Sequence, residues 1–279
     1  MLRNLFVKIF LAFVISAVFL SIAGYFFAKP ILLSIANKGL HKISRQSRIA
    51  DLKITPNFIE FHGIEINPYD IKIEKAEVHY TLRSIFDRKA DFYIKAVNYN
   101  KLKIGDVTGK MELKGDILNI NSILLSFLGG DVKGEFNISP GKDMNYNLSL
   151  RTHGLEIKRF VDDMKFNEKF DMTGKLDGEF SLTGRAGEIE DIKGDFHTDT
   201  SGGVLVIKDK AFLENIAKQS NQPLDIVVES FRNYNYNNGM IKLYMEGGNL
   251  ILDAQLDGNA GKRNLTIVLH DFNKREERP

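Results

Sequence analysis

From Ile71 to Leu269 the chain alternates apolar and polar residues with a period of two, which dictates sheet rather than helix for most of its length. Ile71-Lys72-Ile73-Glu74 and Ala76-Glu77-Val78-His79-Tyr80 place the two kinds of side chain by turns, as a strand buried on one face does. The pattern returns in Val107 to Leu113, Tyr146 to Leu150, Ile241 to Met245, Leu250 to Leu256 and Leu265 to Leu269. About fourteen such strands are separated by Gly, Asn, Asp and Pro turns. Most connections are too short for parallel crossovers and predict an antiparallel meander.

One strand sentence recurs. Val132-Lys133-Gly134-Glu135-Phe136-Asn137-Ile138 resembles Leu176-Asp177-Gly178-Glu179-Phe180-Ser181-Leu182 and Ile192-Lys193-Gly194-Asp195-Phe196-His197-Thr198, and Val107 to Leu113 is a weaker copy. The first apolar residue, the Gly and the Phe share one face of the strand, and the charged residues share the other. Glycine on the apolar face leaves room for a neighbouring aromatic or for curvature. The glycines are spaced irregularly, so this is no solenoid period. Left open, such a sheet would extend about 65 Å at strand spacing. Its apolar face must roll into a packed core, meet a protein partner or hold something apolar, because large apolar patches are rarely left bare.

Three helices are predicted within this pattern. Leu32, Ile35, Ala36, Leu40 and Ile43 recur at helical spacing between Pro30 and Ser44, either as a connector lying against the domain or as an interfacial helix on a membrane. Ile157, Phe160, Val161 and Met164 form a short amphipathic stretch, and Phe212, Leu213, Ile216 and Ala217 another, with Pro223 beyond its end. The two later helices are bounded by strands and read as plugs or lids on the sheet.

The N-terminus is different in kind. Ile9 to Ala28 contains no charged residue, enough for about 30 Å of helix, the thickness of a bilayer core. A cleaved signal peptide would use Ser21-Ile22-Ala23 as its cleavage site. Phe26 and Phe27 keep the sequence apolar beyond that point, which suits an uncleaved anchor better. A plain count of flanking cations, with Lys29, Lys38, Lys42, Arg45 and Arg48 after the span, favours a cytoplasmic C-terminal part. The short basic N-terminus carrying Arg3 and Lys8, and the export-like fold that follows, favour the opposite orientation.

The whole chain has 279 residues, a formal net charge of +2, no Cys and no Trp. Near-neutrality gives no footprint for nucleic acid. Without cysteine there is no disulfide framework, thiolate metal site or cysteine nucleophile. The six histidines form no close metal pair, and His79 and His197 take polar slots in alternating strands. Gly258-Asn259-Ala260-Gly261-Lys262 lacks the first glycine and the final Ser/Thr of a phosphate loop and reads as a turn between strands. No catalytic constellation, cofactor motif or metal site is found, so the expectation is a protein that is not an enzyme.

A single apolar span, a short helix, then "GGDVKGEFNIS", "GLEIKRFVDDM" and "TGKLDGEFSLTG" resemble the AsmA-like and TamB-like envelope proteins of bacteria. "SGGVLVIKDKAFLENIA" and "VVESFRNYNYNNGMIKLYMEGGNLILDAQLDGNAG" are similar to the C-terminal region of the YdbH-like branch. The resemblance implies a mainly β fold: a single N-terminal transmembrane helix, then a long, curved, mostly antiparallel sheet forming a taco-shaped groove with a few short amphipathic helices. The expected organisation is an anchor over residues 1–29, a connector helix over 30–48, a periplasmic groove domain over 49–272 and a charged tail over 273–279. It also implies a location in the bacterial inner membrane and phospholipid acyl chains as partners. Carried onto this chain, the groove lining is Val132, Phe136, Ile138, Leu176, Phe180, Leu182, Ile192 and Phe196. This chain is shorter than the large bridging members of that group, so the resemblance implies part of a conduit, completed by a partner or a second copy. The last strand, Leu265 to Leu269, is a place where an envelope protein could add a strand.

Overall fold

A computed structural model describes residues 28–41, 45–67, 70–99, 102–139, 144–185 and 188–270. The predicted span and the charged tail lie outside the described residues, except that residue 28 begins the first helix, α1, which runs to residue 41. Among the described residues no helix is long and apolar enough to cross a membrane.

The alternating stretches form one antiparallel sheet of thirteen strands. Its first eight members follow chain order: β1 (Arg48–Ile54), β2 (Phe58–Ile66), β3 (Ile71–His79), β4 (Lys89–Tyr99), β5 (Leu102–Lys114), β6 (Ile117–Phe127), β7 (Gly130–Ser139) and β8 (Asn145–Glu156). The short β9 (Phe170–Met172) then leaves the sheet, which continues with β10 (Lys175–Arg185) and β11 (Glu188–Thr198). After β12 (Gly203–Ile207) and β13 (Tyr234–Tyr236) it ends with β14 (Asn238–Glu246), β15 (Asn249–Gly258) and β16 (Gly261–Leu269). The first and last strands do not pair with each other, so the sheet is open. Sequence expected about fourteen strands. The described residues form sixteen, because β9, β12 and β13 make a separate three-stranded sheet in the order β13-β12-β9.

The alternation slips along a line crossing the first strands. Pairing skips Ala50 and Gly63 between β1 and β2, Gly63 and Glu74 between β2 and β3, and Glu74 and Ala96 between β3 and β4. Gly63 and Ala96 adopt left-handed φ values of 59° and 52°. Register shifts of the bulge kind, which bend strands and increase their twist, fall instead between β5 and β6, β6 and β7, β8 and β10, and β10 and β11.

The predicted helices are present: α1, then α3 (Ile157–Asp163) and α4 (Lys210–Ser220). Two others, α2 (Leu82–Phe86) and α5 (Leu224–Phe231), were not expected. Pro223, which reads as a helix stop in sequence, also serves as the N-cap of α5. The principal core lies between α4, α5, the small sheet and β15, and contains Leu205, Ile207, Leu213, Val227, Phe231, Tyr234, Tyr236 and Leu256. Tyr236 donates its hydroxyl hydrogen to the Thr173 carbonyl, and the single hydroxyl hydrogen of Tyr234 is shared between the carbonyls of Gly261 at 2.5 Å and Leu256 at 3.1 Å. Burial raises the pKa of both phenols, most strongly that of Tyr236. These elements form a plug at one end of the large sheet, as the sequence reading of lids anticipates.

Candidate functional site

Strand register determines which residues share a face, because partners directly opposite one another point the same way. Phe136 pairs with Leu148, Leu148 with Leu182, and Leu182 with Ile192. One step along, Gly134 pairs with Leu150, Leu150 with Phe180, and Phe180 with Gly194. Val132 pairs with Thr152, Thr152 with Gly178, and Gly178 with Phe196. The eight groove-lining residues expected from sequence therefore share one face of β7, β10 and β11, with β8 between them. Leu148 and Leu150 of β8 belong to the same face. The alternation of Tyr146 to Leu150 carried that signal, although these residues were not among the eight.

Glycine and large side chains complement each other across this face. A Cβ on Gly178 would stand 2.6 Å from Phe196 Cδ1, and one on Gly109 would stand 2.7 Å from Phe92. The rings lie over the glycines, as the recurring strand sentence suggests. Val132 is 3% and Ile192 5% exposed, whereas Phe136, Ile138, Leu176, Phe180, Leu182 and Phe196 are only half-buried. Phe136, Phe180 and Phe196 are thus not sealed in a packed interior. The row continues from Phe196 to Ile241, Ala254 and Leu265. Leu256 and Leu265 are where the plug packs on this same face, so the core closes one end of the apolar surface and leaves the rest uncovered by that core.

The opposite face carries charge. Arg151 meets Glu179 at 2.7 Å, Lys95 meets Glu74 at 3.1 Å, and Lys89 and Lys114 meet Glu112 at 3.3 and 3.2 Å. The densest group spans β2 and β3: His62 lies 2.5 Å from Glu60 within β2, Glu77 receives Lys75 at 2.6 Å and His79 at 2.7 Å within β3, and Lys75 reaches Glu60 at 3.6 Å across the two strands. The Lys75 hydrogen bond, followed by that of His79, holds the Glu77 carboxyl below the usual range, and Glu77 in turn raises Lys75. These contacts neutralise adjacent strands. The cleft beside α2, about 660 Å³, is lined in part by Thr81, Ser84, Asp91 and Lys110. Its Ser84 hydroxyl donates to the Thr81 carbonyl at 3.0 Å and accepts from the Thr81 N–H at 2.7 Å, so that hydroxyl caps a helix. Among the described residues no group of three His, Asp or Glu is arranged to hold a metal ion.

An open antiparallel sheet, apolar on one face, charge-paired on the other and plugged at one end, defines the class: a β-sheet protein whose principal feature is an extended apolar face. The chain belongs to the AsmA family, whose model matches residues 54–205. The match covers the chain from the end of β1 into β12 and includes all eight residues of the apolar face. No curated protein and no solved structure matches the chain.

Proposed function

We propose that this protein is a membrane-anchored, non-enzymatic component of the bacterial envelope, with its sheet in the periplasm. Its apolar face shelters phospholipid acyl chains during transfer between the envelope membranes. On this reading the predicted span over residues 9–28 holds the chain in the inner membrane, and the C-terminal region is of the YdbH-like kind. Transfer needs no bond chemistry. A continuous apolar surface keeps acyl chains out of water while the head groups remain at the open side. The observation that carries the reading is that Phe136, Phe180 and Phe196, on a shared face of an open sheet, are only partly buried.

A photo-crosslinking amino acid placed at Phe180 in cells, followed by mass spectrometry of the adducts, tests this directly. Phospholipid adducts are expected, and protein adducts alone would reject lipid as the occupant. In parallel, Phe180→Asp should abolish transfer while leaving a folded, membrane-associated chain. Loss of folding would identify the site as ordinary core.

A second reading rests on the last strand. Ile267, Val268 and Leu269 of β16 are exposed on the terminal strand of the sheet, and such an edge accepts an added strand. An envelope scaffold that binds protein through this edge would retain activity in Phe180→Asp and lose it when a proline replaces Val268.

A further inference from the structure

Among the described residues the two most exposed large apolar side chains, Leu82 and Phe86, lie in a turn between strands. Helix α2 presents Leu82 at 81%, Ile85 at 53% and Phe86 at 85% exposure, and none of its residues is buried. The turn is nonetheless built. Thr81 and Ser84 form a reciprocal capping box at its start, and the Leu113 N–H donates to the Arg88 carbonyl at 2.9 Å just beyond its end. That bond joins α2 to the tip of the β5–β6 hairpin, where Leu113 and Ile117 are also exposed. A soluble surface gains nothing by holding a cluster of this kind in water.

The position of the cluster suggests its partner. Helix α1 packs along β1: the Ile49 N–H donates to Asn37 Oδ1 at 2.8 Å, Asn37 Nδ2 donates to the Ile49 carbonyl at 3.4 Å, and Lys29 reaches Asp51 at 2.8 Å. From Asn37 back to residue 28 is about 14 Å of helix, against about 17 Å of strand from Ile49 to Ile54. Residue 28, which closes the uncharged stretch, therefore lies near the C-terminal end of β1. Ile54 pairs with Ile59, Phe58 with His79, and His79 with Asp91, so α2 stands at this same end of the strands, three strands from the edge. Ile31 and Ile35, one helical turn apart on α1, are exposed as well. Arg83, inside the helix, lies 3.8 Å from Asp87, whereas Arg88, which follows Phe86 by two residues, has no ion-pair partner among the described residues. Apolar side chains beside an unpaired arginine suit an interface of acyl chains below anionic head groups.

We propose that α2 and the β5–β6 tip dip into the bilayer beside the anchor, as a second membrane contact that holds the first strands of the sheet against the lipid surface. This rests on the reading of the chain as membrane-anchored and adds to it a second point of contact with the bilayer. The chain contains no tryptophan, so Phe86→Trp supplies a single indole at a site where Phe is already exposed. The full chain is reconstituted into vesicles of phosphatidylethanolamine and phosphatidylglycerol carrying bromines on the acyl chains, and flotation is scored separately. Emission from the Phe86→Trp indole should fall roughly twofold, as for a side chain about 5–10 Å into the headgroup boundary. Emission from Leu124→Trp, exposed in mid-strand on β6, should not change. A chain that floats with an unquenched indole at position 86, blue-shifted against protein or not, overturns the second contact and leaves the anchor standing. A chain that fails to float overturns the anchor, and the contact with it.

Discussion

Phe196 lies against Gly178 of the next strand and against Gly194 of its own, where added Cβ atoms would stand 2.6 and 2.7 Å from its ring. The glycines are therefore packing positions. Gly178→Ala also drives its methyl into the Phe196 backbone, and should cost about 1–3 kcal/mol as overpacking. Gly39 on α1 has nothing within 4 Å of an added Cβ, so Gly39→Ala should instead gain about 0.5–1 kcal/mol. Urea midpoints of the two variants should move in opposite directions. On the charged face, Glu77 has a lowered pKa in the folded state, so the folded state binds its proton less readily than the unfolded state. Its stabilisation is present above the unfolded value near 4.5 and is lost as pH falls through the folded one. Glu77→Gln should flatten the acid limb of the stability profile below that value, leaving the alkaline limb unchanged. The Gly–Phe relation was legible in sequence because alternation fixes faces. Ala96 and Gly63 were not, because a left-handed residue within a strand leaves no mark on composition.

At the scale of elements, the recoverable parts were those with a buried stripe. Helices α3 and α4 bury Ile157 with Val161 and Leu213 with Ala217 at helical spacing. Helix α2 buries nothing, so no amphipathic signal exists for it, and only its capping residues distinguish it from a loop. Helix α5 reads as a strand-like run, Leu224-Asp225-Ile226-Val227-Val228, and becomes helical because Val227 and Phe231 both enter the plug. Strands β9 and β13 have three residues each, too few to show a period. Within the plug, Tyr236→Phe removes the donor to the Thr173 carbonyl and should cost about 1–3 kcal/mol, read as a lowered melting midpoint. Along the first strand, Asn37 takes the place of a neighbouring strand for Ile49. Asn37→Ala should abolish hydrogen-exchange protection of the Ile49 amide while protection across β10 and β11 is kept.

Over the whole molecule, burial is unevenly distributed. The largest core cluster gathers in the plug and the strands beneath it, while no residue of β2, β3 or β4 with a described side chain is fully buried. Hydrogen exchange should follow this division, slowest in β12, β13 and β15 and faster in β2 to β4, because local opening tracks buried apolar contact. Uniform protection across the sheet would show that the apolar face is covered in solution.

The two margins of the large sheet are also unlike each other. Helix α1 lies along β1, whereas β16 ends the strand order. Head-to-tail stacking of copies, which requires one margin of each kind, is therefore blocked. Two copies joined margin to margin would have to meet β16 against β16 around a twofold axis, and that arrangement is complete at two. An open sheet of this length would otherwise be a template for fibre growth. Through its margins this one can form a finite pair but not a filament.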